Sequence, residues 1–289
     1  MLASYPDSTP VTLALRPLLH PLFQEVASGI SEHTFANIYL FRTTHNYTLT
    51  RLADATIAIL GRNQNQPFFM LPFALPEPIL LERLFHDQGM MKCVSASQKI
   101  ILEEQGYWVE EDRDNFDYLY LRHDLAELSG RQFHKKRNLI KAFVSSHDYT
   151  AKPLTQDYVQ QAIVVLDAWQ GDHVKGADYL AAKEALLRME ELQLCGGIYF
   201  VEEEPVAYVL GEELGGGGSF AIHFEKAAPG YKGLYQFINQ SFASVLPESY
   251  ETINREQDLG IEGLRKAKLS YNPTGFVEKY RAFSRETAK

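Results

Sequence analysis

The spacing of hydrophobic residues switches between helical and alternating several times along the chain. Between Pro10 and Gly29, apolar residues recur at helical spacing and predict an N-terminal helix. Beyond it, short apolar runs separated by polar turns predict strands, with stretches of helical period between them. The predicted strands of the first half are Tyr47–Leu52, Ala55–Gly61, Phe68–Pro72, Met91–Val94, Tyr107–Glu111 and Phe116–Leu121, and its further helices are Pro78–Gln88 and Ser95–Glu104. The acidic connection between the last two strands, residues 110–117, is expected to be a solvated hairpin tip.

The second half repeats this alternation. Its predicted helices are Gln156–Trp169, Ala177–Leu192 and Leu234–Val245, and its predicted strands are Gly197–Glu202, Val206–Glu213 and Ser219–Glu225. The tail from Thr252 to Arg281 has the pattern of a strand, a short helix and a strand. The pattern therefore predicts a mixed α/β protein with two halves that meet near residues 124–130, and we place the domains at residues 1–125 and 126–289.

Composition narrows the function classes. Lys+Arg 28 against Asp+Glu 37 leaves a net charge of -9, which argues against a protein that coats nucleic acid or anionic membranes through bulk charge. Cys93 and Cys195 match no metal-ligand spacing, and no metal site is expected. No apolar run is long enough to span a bilayer, and the first fifteen residues lack Lys and Arg, so a cytoplasmic location is expected.

Five cations within eleven residues mark the segment from Arg131 to Lys141, which contains no acid. Ser129 and Gln132 have the spacing of a capping box, which predicts a helix start. Most of the cations fall on a solvent face, but Lys136 projects on the apolar side and needs a carboxylate partner or a bound anion. An anion-binding helix and an exposed basic face are both compatible with this pattern.

A second polar segment runs from Ile253 to Gly260. If it is extended, Asn254, Glu256 and Asp258 point to one side while Arg255 points to the other with Gln257, so neither face is apolar. Such a strand is typical of a polar substrate site or of a strand end in a buried ion-pair network with Lys136 or Arg137, and the two can hold together.

The predicted strand Ser219–Glu225 supplies a third candidate. In a regular strand Ala221, His223 and Glu225 share one face. The following Pro229-Gly230 and Gly233 stand at a strand-to-helix turn, where backbone N–H groups can bind an anion. A plain loop with a structural histidine fits the same residues.

At these residues the chain resembles the DUF2156 family, which is related to the C-terminal domain of phosphatidylglycerol lysyltransferases. The resemblance rests on Leu128–Ile140, on the Asn-Arg-Glu-Gln-Asp-Leu-Gly run at 254–260, and on Gly263–Pro273. Lys266, Lys268, Tyr271 and Pro273 fall on the Lys-x-Lys-Phe-x-Pro element of the lysyltransferases. The resemblance covers most of the chain.

The resemblance implies two tandem GNAT-like acyltransferase folds, as in the lysyltransferases and the FemABX peptidyl transferases, which take aminoacyl groups from tRNA. The turn Lys226–Gly233 departs from the acetyl-CoA pattern Arg/Gln-x-x-Gly-x-Gly/Ala, which puts CoA use in doubt. The lysyltransferases also carry a membrane domain that this sequence lacks, so a lipid acceptor would be met at the cytosolic leaflet.

From the residues and the resemblance together we expect an aminoacyl or acyl transferase that acts on an amine or hydroxyl of a small molecule or lipid. The residues expected to bind donor phosphates or the tRNA end are Arg131, Lys135, Lys136 and Arg137. Glu256 and Asp258 are expected to bind the ammonium or amide of the aminoacyl group, His223 or Glu225 to take the proton, and Tyr271 to act as an acid. The other residues expected to bind substrate are Asn254, Arg255, Lys266 and Lys268. The alternatives are a CoA-dependent N-acyltransferase with an acyl-CoA donor and a GNAT-derived binding protein without turnover.

Overall fold

The computed structural model describes residues 2–171 and 176–284 and divides the chain into two compact units. The first unit contains the chain up to Asp117, the short segment Gln257–Gly260 and the chain from Phe276 onward. The second unit contains Tyr118–Glu256 and Ile261–Gly275. The C-terminal strand therefore belongs to the same unit as the N-terminal strands.

The first unit is a seven-stranded sheet with helices. Its strands are β1 (Thr9–Pro10), β2 (Thr48–Arg51), β3 (Ile57–Asn63), β4 (Gln66–Met70), β5 (Met90–Val94), β6 (Trp108–Glu111) and β14 (Tyr280–Phe283), and its helices are α1 (Arg16–Gln24), α2 (Phe35–Leu40), α3 (Pro78–Gln88) and α4 (Ala96–Glu104). The strand order is β1-β2-β3-β4-β5-β14-β6, in which β4 and β5 are parallel and the other neighbours are antiparallel.

Local sequence signals explain several of these elements. Helix α3 has the predicted bounds, with a proline in its first turn and Gly89 after its end. Helix α4 begins with a capping box, in which Ser95 accepts from the backbone N–H of Gln98 and the Gln98 side chain accepts from Ser95. The prediction of one long helix between Pro10 and Gly29 was wrong. Helix α1 covers only Arg16–Gln24 and follows a 3-10 turn at Leu13–Leu15.

A charged group lies in the interior of the first unit. The Lys279 ammonium is buried and donates to Asp117 Oδ1 at 2.7 Å and to Glu32. Ser31 also donates to Asp117, through its backbone N–H at 2.8 Å and its hydroxyl at 2.9 Å. Burial raises the pKa of Asp117 despite the neighbouring cation. Buried ions of this kind stabilise each other, and removing one of them would leave an uncompensated charge in the interior.

The second unit has its own mixed sheet. Its strands are β7 (Asp117–Leu121), β8 (Tyr149–Pro153), β9 (Cys195–Val201), β10 (Glu204–Glu213), β11 (Ser219–Ala227), β12 (Thr252–Asn254) and β13 (Gly275–Val277), and its helices are α5 (Arg122–Glu127), α6 (His134–Ser146), α7 (Val159–Gln170), α8 (Ala177–Leu187), α9 (Met189–Leu192), α10 (Leu234–Val245) and α11 (Glu262–Leu269). The order is β13-β7-β12-β11-β10-β9-β8, and β11 and β12 are the parallel pair.

Two expectations near the start of this unit were wrong. Strands β6 and β7 belong to different sheets, so residues 110–117 are not a hairpin tip, and Asp112 and Asp117 are buried. The capping box is also absent, because the Ser129 hydroxyl donates to Glu127 and a 3-10 turn over Arg131–Phe133 precedes α6. Gly130, at φ 87°, turns the chain into that 3-10 segment.

Helix α10 packs on the sheet of the second unit. Its apolar side, which includes Phe237, Ile238 and Phe242, joins one core cluster with Val209, Phe220 and Ile222 of the strands. Gly233 immediately precedes α10, and a Cβ at this glycine would lie 2.2 Å from the carbonyl oxygen of Leu139 in α6. The glycine therefore allows α6 to approach the start of α10 closely.

Candidate functional site

The candidate site lies where the parallel strands β11 and β12 separate. Their pairing runs from Ser219 opposite Thr252 to Ala221 opposite Asn254. Strand β11 continues to Ala227, whereas β12 ends at Asn254. Beyond Ala221 the two strands are no longer paired, and this gap is flanked by His223 and Glu225 on one side and by Arg255 and Glu256 on the other.

A β-bulge at His223 decides which way these side chains point. Leu210 of β10 faces Phe224 and Gly211 faces Ile222, so His223 is an extra residue without a partner in β10. Glu225 is opposite Val209, which belongs to the core under α10. His223 instead bonds to Glu212. The expectation that His223 and Glu225 share a face was therefore wrong, because the bulge reverses the alternation between them.

His223 lies between two carboxylates. Its Nδ1 is 2.7 Å from Glu256 Oε1 and its Nε2 is 2.9 Å from Glu212 Oε1. The imidazole and Glu212 are almost fully buried, while the Glu256 side chain is 20% exposed. Glu256 is therefore the member of this acidic cluster (Glu212, His223, Glu256) that a ligand can reach.

The two carboxylates keep His223 protonated. Burial by itself would lower the pKa of His223, but the hydrogen bonds and charges of Glu212 and Glu256 raise it to about 10. With both ring nitrogens donating, the imidazolium has no lone pair for a substrate proton. Two carboxylates and one imidazolium leave the acidic cluster with a net charge of -1 at neutral pH.

Arg255 and Glu225 form an ion pair on the α10 side of the sheet. Arg255 Nη2 lies 3.0 and 3.2 Å from the two Glu225 oxygens, and both side chains are largely buried. The Asn239 amide, with its oxygen turned toward the guanidinium, accepts from Arg255 Nη1 at 3.0 Å. Arg255 also lies over the rings of Tyr120 and Tyr271, at 5.8 and 5.1 Å.

Lys136 and Tyr271 extend this basic cluster (Lys136, Glu225, Arg255, Tyr271). The Lys136 ammonium is 3.9 Å from the centre of the Tyr271 ring and donates to Ser270 Oγ at 2.6 Å. In the described parts of the chain no carboxylate forms an ion pair with Lys136, and its ammonium lies on the Tyr271 ring instead of beside the expected carboxylate. Burial and the nearby Arg255 lower the pKa of Lys136. Two cations and one carboxylate leave this cluster with a net charge of +1.

Tyr271 makes contacts through its hydroxyl as well as through its ring. Burial raises the pKa of Tyr271 to about 12, although hydrogen bonds with Gln236 and Arg255 favour its ionised form. Because these two side chains donate to the phenolic oxygen, the hydroxyl proton of Tyr271 is left to donate.

The segment after β12 turns sharply. Glu256 has φ 55°, in the left-handed region that non-glycine residues rarely adopt. The Asn254 side chain accepts from the Glu256 backbone N–H at 2.8 Å, and Asn254 itself is fully buried. Lys268 of α11 reaches the same turn through the carbonyl groups of Arg255 and Glu256.

Other predicted site residues lie elsewhere. Asp258 belongs to the first unit, where it accepts from the Gly260 backbone at 2.9 Å and from Arg113 at 3.4 Å. Arg137 donates to the carbonyl groups of Leu128 and Gly130 and so fixes the loop before α6. Arg131, Lys135 and Lys266 are exposed, and Lys266 pairs with Glu262 on its own helix.

Sequence reasoning missed three residues of the site, which are Glu212, Asn239 and Tyr120. Glu212 carried a signal, because it is a charged residue that directly follows the apolar run at residues 206–211 of strand β10. Asn239 and Tyr120 stand within apolar patterns and carried none. Within the residues that the structure describes, no group of three or more His, Cys, Asp or Glu is arranged to hold a metal ion.

Comparison with known proteins places this geometry in context. The family model "Phosphatidylglycerol lysyltransferase, C-terminal" matches residues 23–283. Among solved structures, a conserved protein of unknown function from Bacteroides thetaiotaomicron VPI-5482 is 32% identical and has a TM-score of 0.88, with 96% of this chain and 99% of that chain covered. No curated protein sequence matches the chain.

Two more distant structures share the fold. L-PGS from Bacillus licheniformis has a TM-score of 0.64 at 14% identity, with 98% of this chain and 94% of that chain covered. A tandem GNAT protein from the clavulanic acid biosynthesis pathway has a TM-score of 0.51 at 8% identity, with 96% and 98% covered. The resemblance to the DUF2156 family and the expected tandem GNAT-like fold are confirmed. Across the described residues, no helix has the length and apolar character needed to cross a membrane.

Proposed function

The chain belongs to the phosphatidylglycerol lysyltransferase C-terminal family, and on that premise we propose that it transfers an aminoacyl group from an activated ester, such as aminoacyl-tRNA, to a hydroxyl or amine. The observation that carries the proposal is the charge separation at the gap between β11 and β12. The acidic cluster has a net charge of -1, and the basic cluster on the other face of the sheet has a net charge of +1. An aminoacyl ester of a nucleotide carries an ammonium at one end and phosphates at the other.

In this proposal Glu256 binds the ammonium of the donor. Its Oε1 is taken by His223, and the other oxygen is left for a ligand. Because His223 stays protonated, it orients the Glu256 carboxylate and does not act as the base. Lys136 and the exposed Arg131 and Lys135 supply positive charge for phosphates.

The transfer itself forms one bond and breaks one. The acceptor oxygen or nitrogen attacks the ester carbonyl, its bond to carbon forms, and the ester C–O bond breaks. The nucleophile loses a proton and the departing ribose oxygen gains one, so the protons balance. In this proposal Tyr271 donates its hydroxyl proton to the oxygen that gains negative charge.

The test is a transfer assay with tRNA charged with a radiolabelled amino acid, using phosphatidylglycerol vesicles and small amines as acceptors. We expect label to move to an acceptor and the rate to fall by roughly 100- to 1000-fold in Glu256→Gln, since a charged contact to the donor is lost. Transfer from an acyl-CoA with none from charged tRNA would contradict the proposal and favour a CoA-dependent N-acyltransferase. Tight donor binding without turnover would favour a binding protein.

A further inference from the structure

The turn at Glu256 needs an external constraint. Glu256 adopts φ 55° without being glycine, a conformation that is unfavourable for a residue with a side chain and that persists only when surrounding contacts hold it. The Asn254 side chain satisfies the N–H of Glu256. The two carbonyl groups of the turn need donors of their own.

Lys268 supplies such a donor. Its ammonium donates to the carbonyl oxygen of Arg255 and, at 3.1 Å, to that of Glu256. The Glu256 carbonyl also accepts from the backbone N–H of Tyr118 at 3.2 Å. Lys268 is itself fixed, because its own carbonyl accepts from the Tyr120 hydroxyl at 2.8 Å and its ammonium lies 5.7 Å from the centre of the Tyr118 ring.

We infer that Lys268 is a positioning residue that sets the turn from which Arg255 and Glu256 diverge. Its ammonium bridges the carbonyl groups of two consecutive residues whose side chains belong to different clusters, Arg255 to the basic one and Glu256 to the acidic one. One cation thus orients both walls of the gap. Lys268 bonds to the protein backbone here, which differs from the substrate-binding role expected from the sequence.

Lys266 is the natural control. It stands two residues earlier in the same helix and in the same Lys-x-Lys element, but it is exposed, and among the residues that the structure describes its ammonium pairs with Glu262. A general effect of removing a lysine from α11 would appear in both variants. An effect on the turn would appear only at Lys268.

The first test needs no substrate. The ring-nitrogen chemical shifts of His223, assigned with His223→Gln in 15N-histidine-labelled protein, report whether the imidazole is still doubly hydrogen-bonded and protonated at pH 8. We expect Lys268→Met to lose the imidazolium signal, because Glu256 moves away and burial then favours the neutral ring. Lys268→Arg and Lys266→Met are expected to keep it. An unchanged imidazolium in Lys268→Met would overturn the inference.

If Lys268→Met fails to fold, the same nitrogen-shift measurement is made on Lys268→Gln. It keeps a donor but shortens the reach, so we expect a weakened imidazolium signal in a folded protein. A signal identical to the wild type in folded Lys268→Gln would also count against the inference.

The second test rests on the proposed function. We expect Lys268→Met to lower kcat/KM roughly tenfold to a hundredfold for a donor with a free ammonium, and Lys268→Arg to recover most of it. A donor whose amino group is acetylated should lose at most about twofold, since it does not use Glu256. Equal losses for both donors would indicate general damage and overturn the positioning role. If no donor is turned over, the proposed function fails while the nitrogen shifts still decide on Lys268.

Discussion

Each unit contains a parallel strand pair in its sheet, and the two pairs share a backbone feature. In the first unit Phe69 of β4 faces Met91 of β5, and in the second Ala221 faces Asn254. Two residues after the last paired position, both chains take a positive φ, 52° at Cys93 and 55° at Glu256. A left-handed residue at the same point therefore bends both strands away from their partners.

The side chains at these equivalent positions differ. Two and four residues beyond Ala221 stand His223 and Glu225, whereas the same steps beyond Phe69 lead to Leu71 and Phe73. Cys93 replaces Glu256, and burial raises the pKa of its thiol, which keeps it neutral. The backbone opening is thus common to both units, whereas the histidine and the two glutamates that line it in the second unit are replaced in the first by Leu71, Phe73 and Cys93. We therefore assign the proposed chemistry to the second unit.

The largest expected effect concerns the buried ions of the first unit, which we interpret as structural. Lys279→Met leaves Asp117 buried without its cation and should reduce the free energy of unfolding by about 3–5 kcal/mol. Urea unfolding followed by circular dichroism measures this loss. A loss below about 1 kcal/mol would mean that Lys279 and Asp117 are hydrated and accessible to solvent. The charged groups of the first unit would then no longer differ from those of the second in being structural.

A pair of substitutions tests the contrast directly. Glu256→Gln should lower the transfer rate by roughly 100- to 1000-fold, because the ligand-facing carboxylate of the acidic cluster is lost. The equivalent change in the first unit, Cys93→Ala, should alter the rate by less than about twofold, since a neutral buried thiol contacts no ligand in this account. Comparable losses in both variants would break the contrast.

The raised pKa of His223 predicts how stability depends on pH. Because the folded pKa is about 10 and the ordinary value is 6.5, the acidic cluster stabilises the fold fully below pH 6.5 and loses this contribution as pH rises toward 10. We expect wild-type protein to lose a few kcal/mol of unfolding free energy across that window. Urea unfolding at several pH values should show this slope flattened in His223→Gln. An equal pH dependence of the unfolding free energy in both proteins would argue that His223 is not protonated in the folded state.

The smallest effect is expected at the exposed cations of the second unit. The double variant Arg131→Ala, Lys135→Ala should bind tRNA a few-fold more weakly. The slope of log K against log salt concentration should become shallower by about one to two, because each lost cation contacts about one phosphate. Filter binding between 50 and 200 mM salt measures both quantities. Salt-independent binding of the wild type would mean that these cations do not contact phosphates.

Much of the fold could be predicted from local patterns. Helices α3 and α10 were predicted with the bounds they have, and strands β9, β10 and β11 within two residues at each end. These elements have strong amphipathic or continuous apolar patterns. The return of β14 to lie between β5 and β6 is a pairing between residues far apart in sequence, and no local pattern indicates it.

The site was predictable in its residues but less so in its contacts. Glu256, Arg255, His223 and Glu225 were candidates because polar residues stood where the pattern required burial. Their pairing depends on the bulge at His223 and the positive φ at Glu256, which are single-residue departures from regular strand geometry. Neither departure involves glycine or proline, so the sequence carried no signal for it.

The most direct test of the central claim is a crystal structure with a hydrolysis-resistant aminoacyl-adenosine, in which an amide replaces the ester. We expect the analogue at the gap between β11 and β12, with its ammonium within hydrogen-bonding distance of Glu256. An analogue bound in the first unit beside Cys93, or one in the second unit whose ammonium does not contact the acidic cluster, would contradict it.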